Sequence, residues 1–169
     1  MSTEPKIIIL RGNSGSGKTT IAKKLQKNFG KGTFLISQDV VRREQLYVSD
    51  GAKSPAIDLL IHLIKYAKEN CEIIILEGIL YSDWYRPLFE VVKKEFSCEI
   101  YAYYFDIPFE ETLIRHKTRS KTSDFGEGEM SRWWREKDYI EMIPETIIDE
   151  NMPEDTIVQT VRADVLKTK

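Results

Sequence analysis

A glycine-rich stretch near the amino terminus constrains the fold of this chain more than any other feature. Its letters, GNSGSGKT, occupy residues 12–19 and match the phosphate-binding spacing G-x-x-x-x-G-K-[ST]. The apolar run Ile7 to Leu10 precedes the motif, and a helical pattern beginning near Thr20 follows it. A P-loop requires this order of strand, loop and helix, so the sequence predicts a site for a nucleoside triphosphate.

The residue types in this loop fit a polyphosphate. Glycines leave backbone amides accessible, and the following helix presents its positive dipole end to the same anion. We expect Lys18 to reach the β- and γ-phosphates and the hydroxyl of Thr19 to ligate Mg²⁺. The predicted nucleotide-binding set is Gly12, Asn13, Ser14, Gly15, Ser16, Gly17, Lys18, Thr19 and Thr20, with Thr20 near the α-phosphate.

Length and composition favour one domain spanning residues 1–169, since 169 residues suffice for a five-stranded α/β core. Apolar residues make up 41% and charged residues 31%, and no apolar run approaches the roughly 20 residues that span a bilayer. The amino terminus has no secretory pattern, and Cys71 and Cys98 form no zinc spacing. We therefore expect a cytoplasmic protein with no membrane partner.

Short apolar runs alternate with helical patterns along the whole chain. This alternation predicts a three-layer α/β fold around a five-stranded parallel sheet. The predicted strands are Ile7 to Leu10, Thr33 to Ile36, Ile73 to Leu76, Ile100 to Phe105 and Thr146 to Ile148. Predicted helices follow the P-loop, begin at the Ser54-Pro55 pair, and cover Asp83 to Glu95, Phe109 to Lys117, Glu129 to Asp138 and Glu154 to Val165.

Carboxylates follow several of these strands, at the sheet edge where parallel α/β folds bind ligands. Asp39, after the second strand, is the leading candidate for a general base that accepts a proton from an attacking hydroxyl. Arg42 lies three residues on, so we expect it on the same helical face, holding an anionic or polar substrate. The alternative interpretation is that Asp39 caps a helix whose exposed face carries Arg42 and Arg43.

Glu77 is the second candidate carboxylate. It ends the Walker-B-like run IIILE at residues 73–77. We expect it either to hold a water bound to magnesium or to contact the acceptor substrate, although any single carboxylate at a strand end can also cap a helix.

A basic segment between residues 115 and 137 predicts a lid. Arg115 and Arg119 are four residues apart on one helical face, and a glycine-containing stretch follows at 120–128. Their guanidinium groups suit the charge of a phosphoryl group during transfer. The alternative interpretation of this basic segment is a solvent-exposed helix face that carries ion pairs. Trp133 and Trp134 can stack on a base, but aromatic pairs on helices more often pack in a core, which is the interpretation favoured here.

These motifs together resemble the small P-loop kinases of metabolites and nucleotides, a family that includes zeta toxins, antibiotic phosphotransferases and polynucleotide kinase domains. The resemblance rests on GNSGSGKT, SQDVVR at 37–42, ILEG at 75–78 and the arginine-rich lid. It implies a P-loop NTPase fold with sheet order 2-3-1-4-5, ATP and Mg²⁺ as cofactors, and residues 151–153 near the adenine. Asp39 and Arg42 are similar to the base and substrate clamp of polynucleotide kinases.

The combined expectation is an ATP-dependent kinase that transfers the γ-phosphate to a hydroxyl of a small molecule such as a nucleoside, sugar or antibiotic. One alternative is a 5′-hydroxyl polynucleotide kinase, which would make nucleic acid the acceptor. The net charge of −2 does not favour a general nucleic-acid binder. Another alternative is a nucleotide-dependent switch or ATPase that has no acceptor.

Overall fold

The computed structural model describes residues 4–118 and 125–167, and a parallel sheet of five strands forms its centre. The strands are β1 Lys6–Gly12, β2 Phe34–Ser37, β3 Ile73–Gly78, β4 Ile100–Phe105 and β5 Glu145–Ile148. Their order across the sheet is β2-β3-β1-β4-β5, which confirms the expected order. All four neighbouring pairs run parallel.

Helices pack on the two faces of this sheet. They are α1 Lys18–Phe29, α2 Pro55–Asn70, α3 Arg86–Phe96, α4 Phe109–Lys117, α5 Glu127–Trp133 and α6 Glu154–Leu166, with a short π-helix at Val40–Gln45. No helix in the described ranges is long and apolar enough to cross a membrane.

The two apolar cores follow from the alternation of side chains along the strands. Ile7 and Ile9 of β1 belong to the core beneath α2 and α3, whereas Ile8 and Leu10 belong to the core beneath α1 and α6. All four residues are fully buried, so β1 is apolar on both faces, as expected of a central parallel strand. The predicted three-layer fold is confirmed.

Two predicted helix boundaries are wrong. The third helix begins at Arg86 rather than Asp83, because the carboxylate of Asp83 accepts a hydrogen bond from the next backbone amide and Pro87 stands in the first helical turn. The predicted helix 129–138 ends at Trp133, since the chain turns extended at Trp134. The start of α2 is confirmed, with Ser54 accepting a hydrogen bond from the amide of Ala56 at 3.3 Å.

The central position of β1 brings the P-loop to the carboxyl edge of the sheet. Gly15 has φ +79°, and a Cβ there would lie 2.8 Å from the carbonyl oxygen of Thr112 in α4. Any larger residue would therefore be both strained and in collision with backbone. Glycine at this position lets the loop pack directly against α4.

Candidate active site

Lys18 lies at the start of α1 and its side chain curls back over the P-loop. Its Nζ donates to the carbonyl of Asn13 at 2.8 Å and to Oγ of Ser16 at 3.1 Å, and the residue is only 7% exposed. The preceding Gly17 has φ +99° at the helix amino terminus. A cation and the positive end of a helix dipole therefore meet at one loop, an arrangement that suits a polyphosphate.

Thr19 and Glu77 meet because α1 begins beside the carboxyl end of β3. Thr19 Oγ1 donates to Glu77 Oε2 at 3.2 Å, and Ser37 Oγ donates to Glu77 Oε1 at 2.6 Å. Glu77 is 3% exposed. The sequence predicted each of these two residues separately, and the structure brings them into contact.

This hydroxyl and carboxylate fit a Mg²⁺ ion that keeps most of its water. Magnesium in phosphotransferases is bound by few protein oxygens, together with substrate phosphates and water. Within residues 4–118 and 125–167, no group of three or more His, Cys, Asp or Glu side chains could hold a metal ion. The hydroxyl of Thr19 and the carboxylate of Glu77 are the donor set that suits such an ion.

Asp39 lies directly before the π-helix and forms ion pairs with two arginines. Its Oδ1 is 3.0 Å from Arg42 Nη2, and its Oδ2 is 3.6 Å from Arg43 Nη1. Asp39 makes no side-chain capping hydrogen bond to the π-helix, so the capping interpretation does not describe it. Its carboxylate is 39% exposed and therefore accessible to a ligand.

A cavity of about 510 Å³ joins these groups, and we call it the central cleft. Lys18 and Thr19 of the P-loop line it together with Asp39, Arg42 and Glu77. Its volume lies in the range of small-molecule sites. Ser14 lines it as well, so six of the predicted site residues face one shared space.

Aromatic side chains form a large part of the wall of the central cleft. Trp133 and Trp134 both line it, and the prediction of core packing is wrong for Trp133, which is 39% exposed, whereas Trp134 is half-buried against Phe109. In the short α5 it is Met130 that is buried, at 1% exposure. The helix places Met130 against the protein and leaves the two tryptophans at its end facing the cleft.

A pair of hydrogen bonds that the sequence did not indicate ties the P-loop to the segment after α5. Asn13 Nδ2 donates to the carbonyl of Arg135 at 2.7 Å, and the amide of Arg135 donates to Asn13 Oδ1 at 3.0 Å. We call this pair the Asn13 clasp. Asn13 was predicted to bind nucleotide, but in this structure its side chain binds protein backbone.

The side chain of Arg135 continues from the clasp into the central cleft. Its Nη1 donates to Asp83 Oδ1 at 2.6 Å, and its guanidinium carbon lies 3.9 Å from the centroid of the Tyr81 ring. Burial alone would raise the pKa of Asp83, but the hydrogen bonds from Arg135 and from the amide of Trp84 overcome this and hold that pKa below its ordinary value. At neutral pH Asp83 is therefore a charged carboxylate that holds Arg135 through this ion pair.

A buried polar network supports another part of the cleft wall. Tyr85 donates its hydroxyl to Asp50 Oδ1 at 2.6 Å and accepts a hydrogen bond from Gln38 Nε2 at 2.7 Å. Burial raises the pKa of Tyr85 above its ordinary value, and the hydrogen bond to Asp50 acts in the same direction. Gln38 and Asp50 line the central cleft, so this network fixes two polar groups there.

A second cavity, of about 540 Å³, lies on the other side of the P-loop, and we call it the side cavity. Thr20, Arg115 and residues 151–153 all line it. Arg115 Nη1 donates to the carbonyl of Ser16 at 3.0 Å, so this predicted lid arginine does contact the P-loop. Arg119, the other predicted lid arginine, lies outside the described residues.

Arg11 is a buried cation that sequence reasoning overlooked. It is 0% exposed in β1, and its guanidinium is 2.8 Å from Glu145 and 2.9 Å from Asp138. The same group donates two hydrogen bonds to the carbonyl of Leu80, at 3.0 and 2.9 Å. Burial raises the pKa of Glu145, while the charge of Arg11 acts in the opposite direction. Arg11 thus joins the segments that follow β3 and α5 to the start of β5.

Comparison with known proteins places the chain in a family. A family model described as an AAA domain matches residues 7–142, which is most of the chain. The chain belongs to this family. No curated protein is significantly similar to this AAA domain in sequence.

Several solved structures share the fold of this AAA domain. A gluconokinase from Sinorhizobium meliloti 1021 is 14% identical with a TM-score of 0.67, and the match covers 97% of this chain and 93% of the gluconokinase. The APS kinase of Mycobacterium tuberculosis, solved with AMPPNP and APS, is 18% identical with a TM-score of 0.69, covering 99% and 100%. The tunicamycin resistance protein of Deinococcus radiodurans is 20% identical with a TM-score of 0.67, covering 97% of each chain. The shared fold is that of P-loop kinases.

Proposed function

We propose that this protein is a kinase that transfers the γ-phosphate of ATP, with Mg²⁺, to a hydroxyl group of a small molecule. The observation that carries the proposal is the central cleft, which Lys18, Thr19 and Glu77 share with Asp39. Phosphate-binding and proton-accepting groups therefore face one space of small-molecule size. The gluconokinase and APS kinase that share the fold support a phosphotransferase.

In the proposed reaction, Lys18 and the P-loop amides hold the triphosphate, and Asp39 accepts the proton of the acceptor hydroxyl. The acceptor oxygen forms a bond to the γ-phosphorus. The bond from that phosphorus to the β–γ bridging oxygen breaks, and ADP leaves with the electron pair. Magnesium, held through Thr19 and Glu77, would neutralise charge on the phosphates.

The nucleotide base is proposed to lie in the side cavity. This cavity opens beside Thr20 and is lined by residues 151–153, which the family resemblance assigns to the adenine. Arg115 lines the same cavity, donates to the P-loop carbonyl of Ser16 and pairs with Glu111 at 3.0 Å, and it is proposed to act on the phosphates from this position. The proposed lid, 115–137, would add Arg119.

The test is transfer of label from γ-labelled ATP with Mg²⁺ to separate pools of nucleosides, sugars and hydroxylated antibiotics. Label in one pool supports the proposal and identifies the acceptor class. Release of free phosphate without labelled product would favour a switch or ATPase. The variant Lys18→Ala is the negative control, since it removes the cation of the cradle.

A 5′-hydroxyl polynucleotide kinase is the second candidate. The observation that favours it is a further groove of about 520 Å³ beside Asp39, Arg42 and Arg43, with the 91% exposed ring of Tyr47 at its edge. Arginines next to an exposed aromatic ring suit phosphates and a stacked base. Labelled 5′-hydroxyl oligonucleotide, with binding that weakens steeply as salt rises, would support this candidate.

A further inference from the structure

The aromatic residues of the central cleft form one continuous wall. Phe125 and Trp133 have ring centroids 5.2 Å apart, and Tyr81 and Trp84 have centroids 4.8 Å apart. The hydroxyl of Tyr81 donates to the carbonyl of Trp133 at 2.5 Å, which joins the two pairs. All four residues line the cleft, as does Trp134. Tyr81 is only 6% exposed, whereas Trp133 is 39% exposed, so the apolar surface that this wall offers to a flat ligand lies at Trp133.

Two arginines make cation–π contacts with these aromatic rings. Arg135 lies over the rings of Tyr81 and Trp84, at 3.9 and 5.1 Å, and Arg43 lies 5.8 Å from the centroid of Phe125. Stacking on a ring keeps a guanidinium in one plane and preserves its edge for hydrogen bonding. These cations therefore border the aromatic wall with fixed orientation.

Cationic side chains outnumber carboxylates in the lining of the central cleft, whereas carboxylates slightly outnumber cations in the whole chain. The cations lining it are Lys18, Arg42, Arg43, Arg132 and Arg135, against the carboxylates of Asp39, Asp50 and Glu77. The complete chain, by contrast, has a net charge of −2. Lys18 belongs with the triphosphate, and Arg42 and Arg43 are paired with Asp39 at 3.0 and 3.6 Å. Arg43 and Arg135 are the cations that combine an aromatic contact with a place in the cleft.

Arg135 is the cation best arranged to receive an anion. Asp83 Oδ1 lies 2.6 Å and Asp138 Oδ1 lies 4.0 Å from its Nη1, and a guanidinium carries further N–H donors in the same plane. The Asn13 clasp fixes its backbone to the P-loop, so the guanidinium keeps a set position relative to the phosphate cradle. A planar, oriented guanidinium suits a carboxylate or phosphate better than a neutral hydroxyl.

From this wall and these cations we infer that the phosphate acceptor is a hydroxyl compound carrying both a flat aromatic or heteroaromatic ring and an anionic group. The ring stacks on the aromatic wall and the anion meets Arg135. This inference rests on the proposed kinase function and narrows its substrate class. Neutral sugars, which have neither feature, are excluded as the preferred acceptor.

The test compares four sets of acceptors with γ-labelled ATP and Mg²⁺. Ribonucleoside 3′-monophosphates and hydroxylated aromatic acids carry ring and anion, and nucleosides carry the ring alone. Gluconate and glycerol 3-phosphate carry the anion alone, and glucose carries neither. We expect kcat/KM for the best ring-and-anion acceptor to exceed that of every other set by about tenfold or more, the effect of one charge-assisted hydrogen bond.

Preference for a neutral or non-aromatic acceptor would overturn the inference and leave the kinase function standing. Transfer to none of the four sets, with ATP binding intact, would overturn the inference as well. Failure to bind ATP would overturn the proposed function itself. The three outcomes are separated by measuring ATP affinity beside transfer.

Two variants test which residues bind the anionic group and the ring of the acceptor. Arg135→Gln should lower kcat/KM for the anionic acceptor by about tenfold while changing that of its neutral counterpart little, so the ratio between the two falls. The exposed Arg86→Gln on α3 is the matched control and should leave the ratio unchanged. Trp133→Ala should raise KM for ring acceptors, with the exposed Tyr66→Ala as its control. If Arg135→Gln left the ratio of kcat/KM between the anionic and the neutral acceptor unaltered, Arg135 would not bind an anion. The inference that the acceptor carries an anionic group would then be wrong.

Discussion

At the scale of single residues, Asp39 carries the chemical part of the proposal. Its carboxylate faces the central cleft while two arginines hold it from the side of the π-helix. Those arginines hold it from one side and leave its carboxylate 39% exposed. The residue next in importance is Lys18, whose ammonium group lies over the loop that holds phosphate.

Changing Asp39 to Asn should lower the rate of phosphate transfer by about 10²- to 10⁴-fold, the usual contribution of a general base. ATP affinity should stay nearly the same, because the P-loop is untouched. Transfer kinetics and equilibrium ATP binding measure the two effects. Asp58→Asn, on the exposed face of α2, is the control, and unaltered turnover in Asp39→Asn would reject the assigned role.

Changing Lys18 to Ala should instead impair both ATP binding and phosphate transfer. Loss of its charge should weaken ATP binding by about 10- to 100-fold, because hydrogen bonds to charged groups are strong, and transfer should fall further. Calorimetric titration with ATP and Mg²⁺ measures the affinity. Lys23→Ala, an exposed lysine on the same helix, is the matched control. Native affinity in Lys18→Ala would contradict the phosphate cradle.

Changing Glu77 to Gln should raise the Mg²⁺ concentration needed for half-maximal transfer. The carboxylate beside Thr19 is the group proposed to orient metal-bound water, and losing such a partner typically costs about 10- to 100-fold in metal affinity. A magnesium titration of transfer at saturating ATP measures this. Glu69→Gln on α2 is the control, and an unshifted titration would contradict the proposed role of Glu77 at the metal.

At the scale of elements, the Asn13 clasp decides how α5 and the chain after it relate to the P-loop. The segment 134–137 has no regular structure of its own beyond a turn, so its position depends on side-chain contacts. Asn13 supplies two of them, and Arg135 with Asp83 supplies another. The segment that follows Trp133 therefore takes its position in part from the nucleotide loop.

The variant Asn13→Ala should release this segment. Amide exchange at Arg135 should become faster by about tenfold or more, because the amide loses its acceptor and the segment opens more readily. Exchange measured by mass spectrometry on peptides covering 134–137 detects the change. Asn28→Ala, an exposed asparagine of α1, should leave exchange at native rates. Equal protection in both variants would show that other contacts hold the segment.

At the scale of the whole molecule, Arg11 connects parts of the chain that are far apart in sequence. Its guanidinium joins β1 to Glu145 at the start of β5, to Asp138 after α5, and to the carbonyl of Leu80 after β3. The charge is completely buried, so these partners supply its solvation. The network holds the loops that surround the cleft in one arrangement.

Changing Arg11 to Met should lower the free energy of unfolding by about 3 to 5 kcal/mol, because two carboxylates lose their buried counter-charge. For a chain of this size the corresponding fall in Tm is on the order of 10 °C. Urea unfolding measures the free energy of unfolding, and calorimetry measures Tm. The double variant Arg11→Met/Glu145→Gln should regain part of the loss, whereas equal stability of Arg11→Met and the exposed control Arg86→Met would contradict the account.

Much of the fold was predictable because its signals are local. The motif at residues 12–19 and the apolar runs of the five strands each require only neighbouring residues to be recognised, and the structure confirms the strands. The family resemblance supplied the sheet order, which is also confirmed. Helix ends were less predictable: α5 ends early because Asn13, from the other end of the chain, binds the backbone at Arg135.

The sequence by itself determined the P-loop, the layered α/β fold and the separate candidates Lys18, Thr19, Asp39 and Glu77. Only the tertiary structure decided that Thr19 touches Glu77, that Trp133 faces the cleft, and that Arg11 is buried among distant carboxylates. The physical reason is the range of the interactions. Backbone propensity and hydrophobic period act between near neighbours, whereas Arg11 and Glu145 are 134 residues apart in the chain and meet only when the sheet has formed.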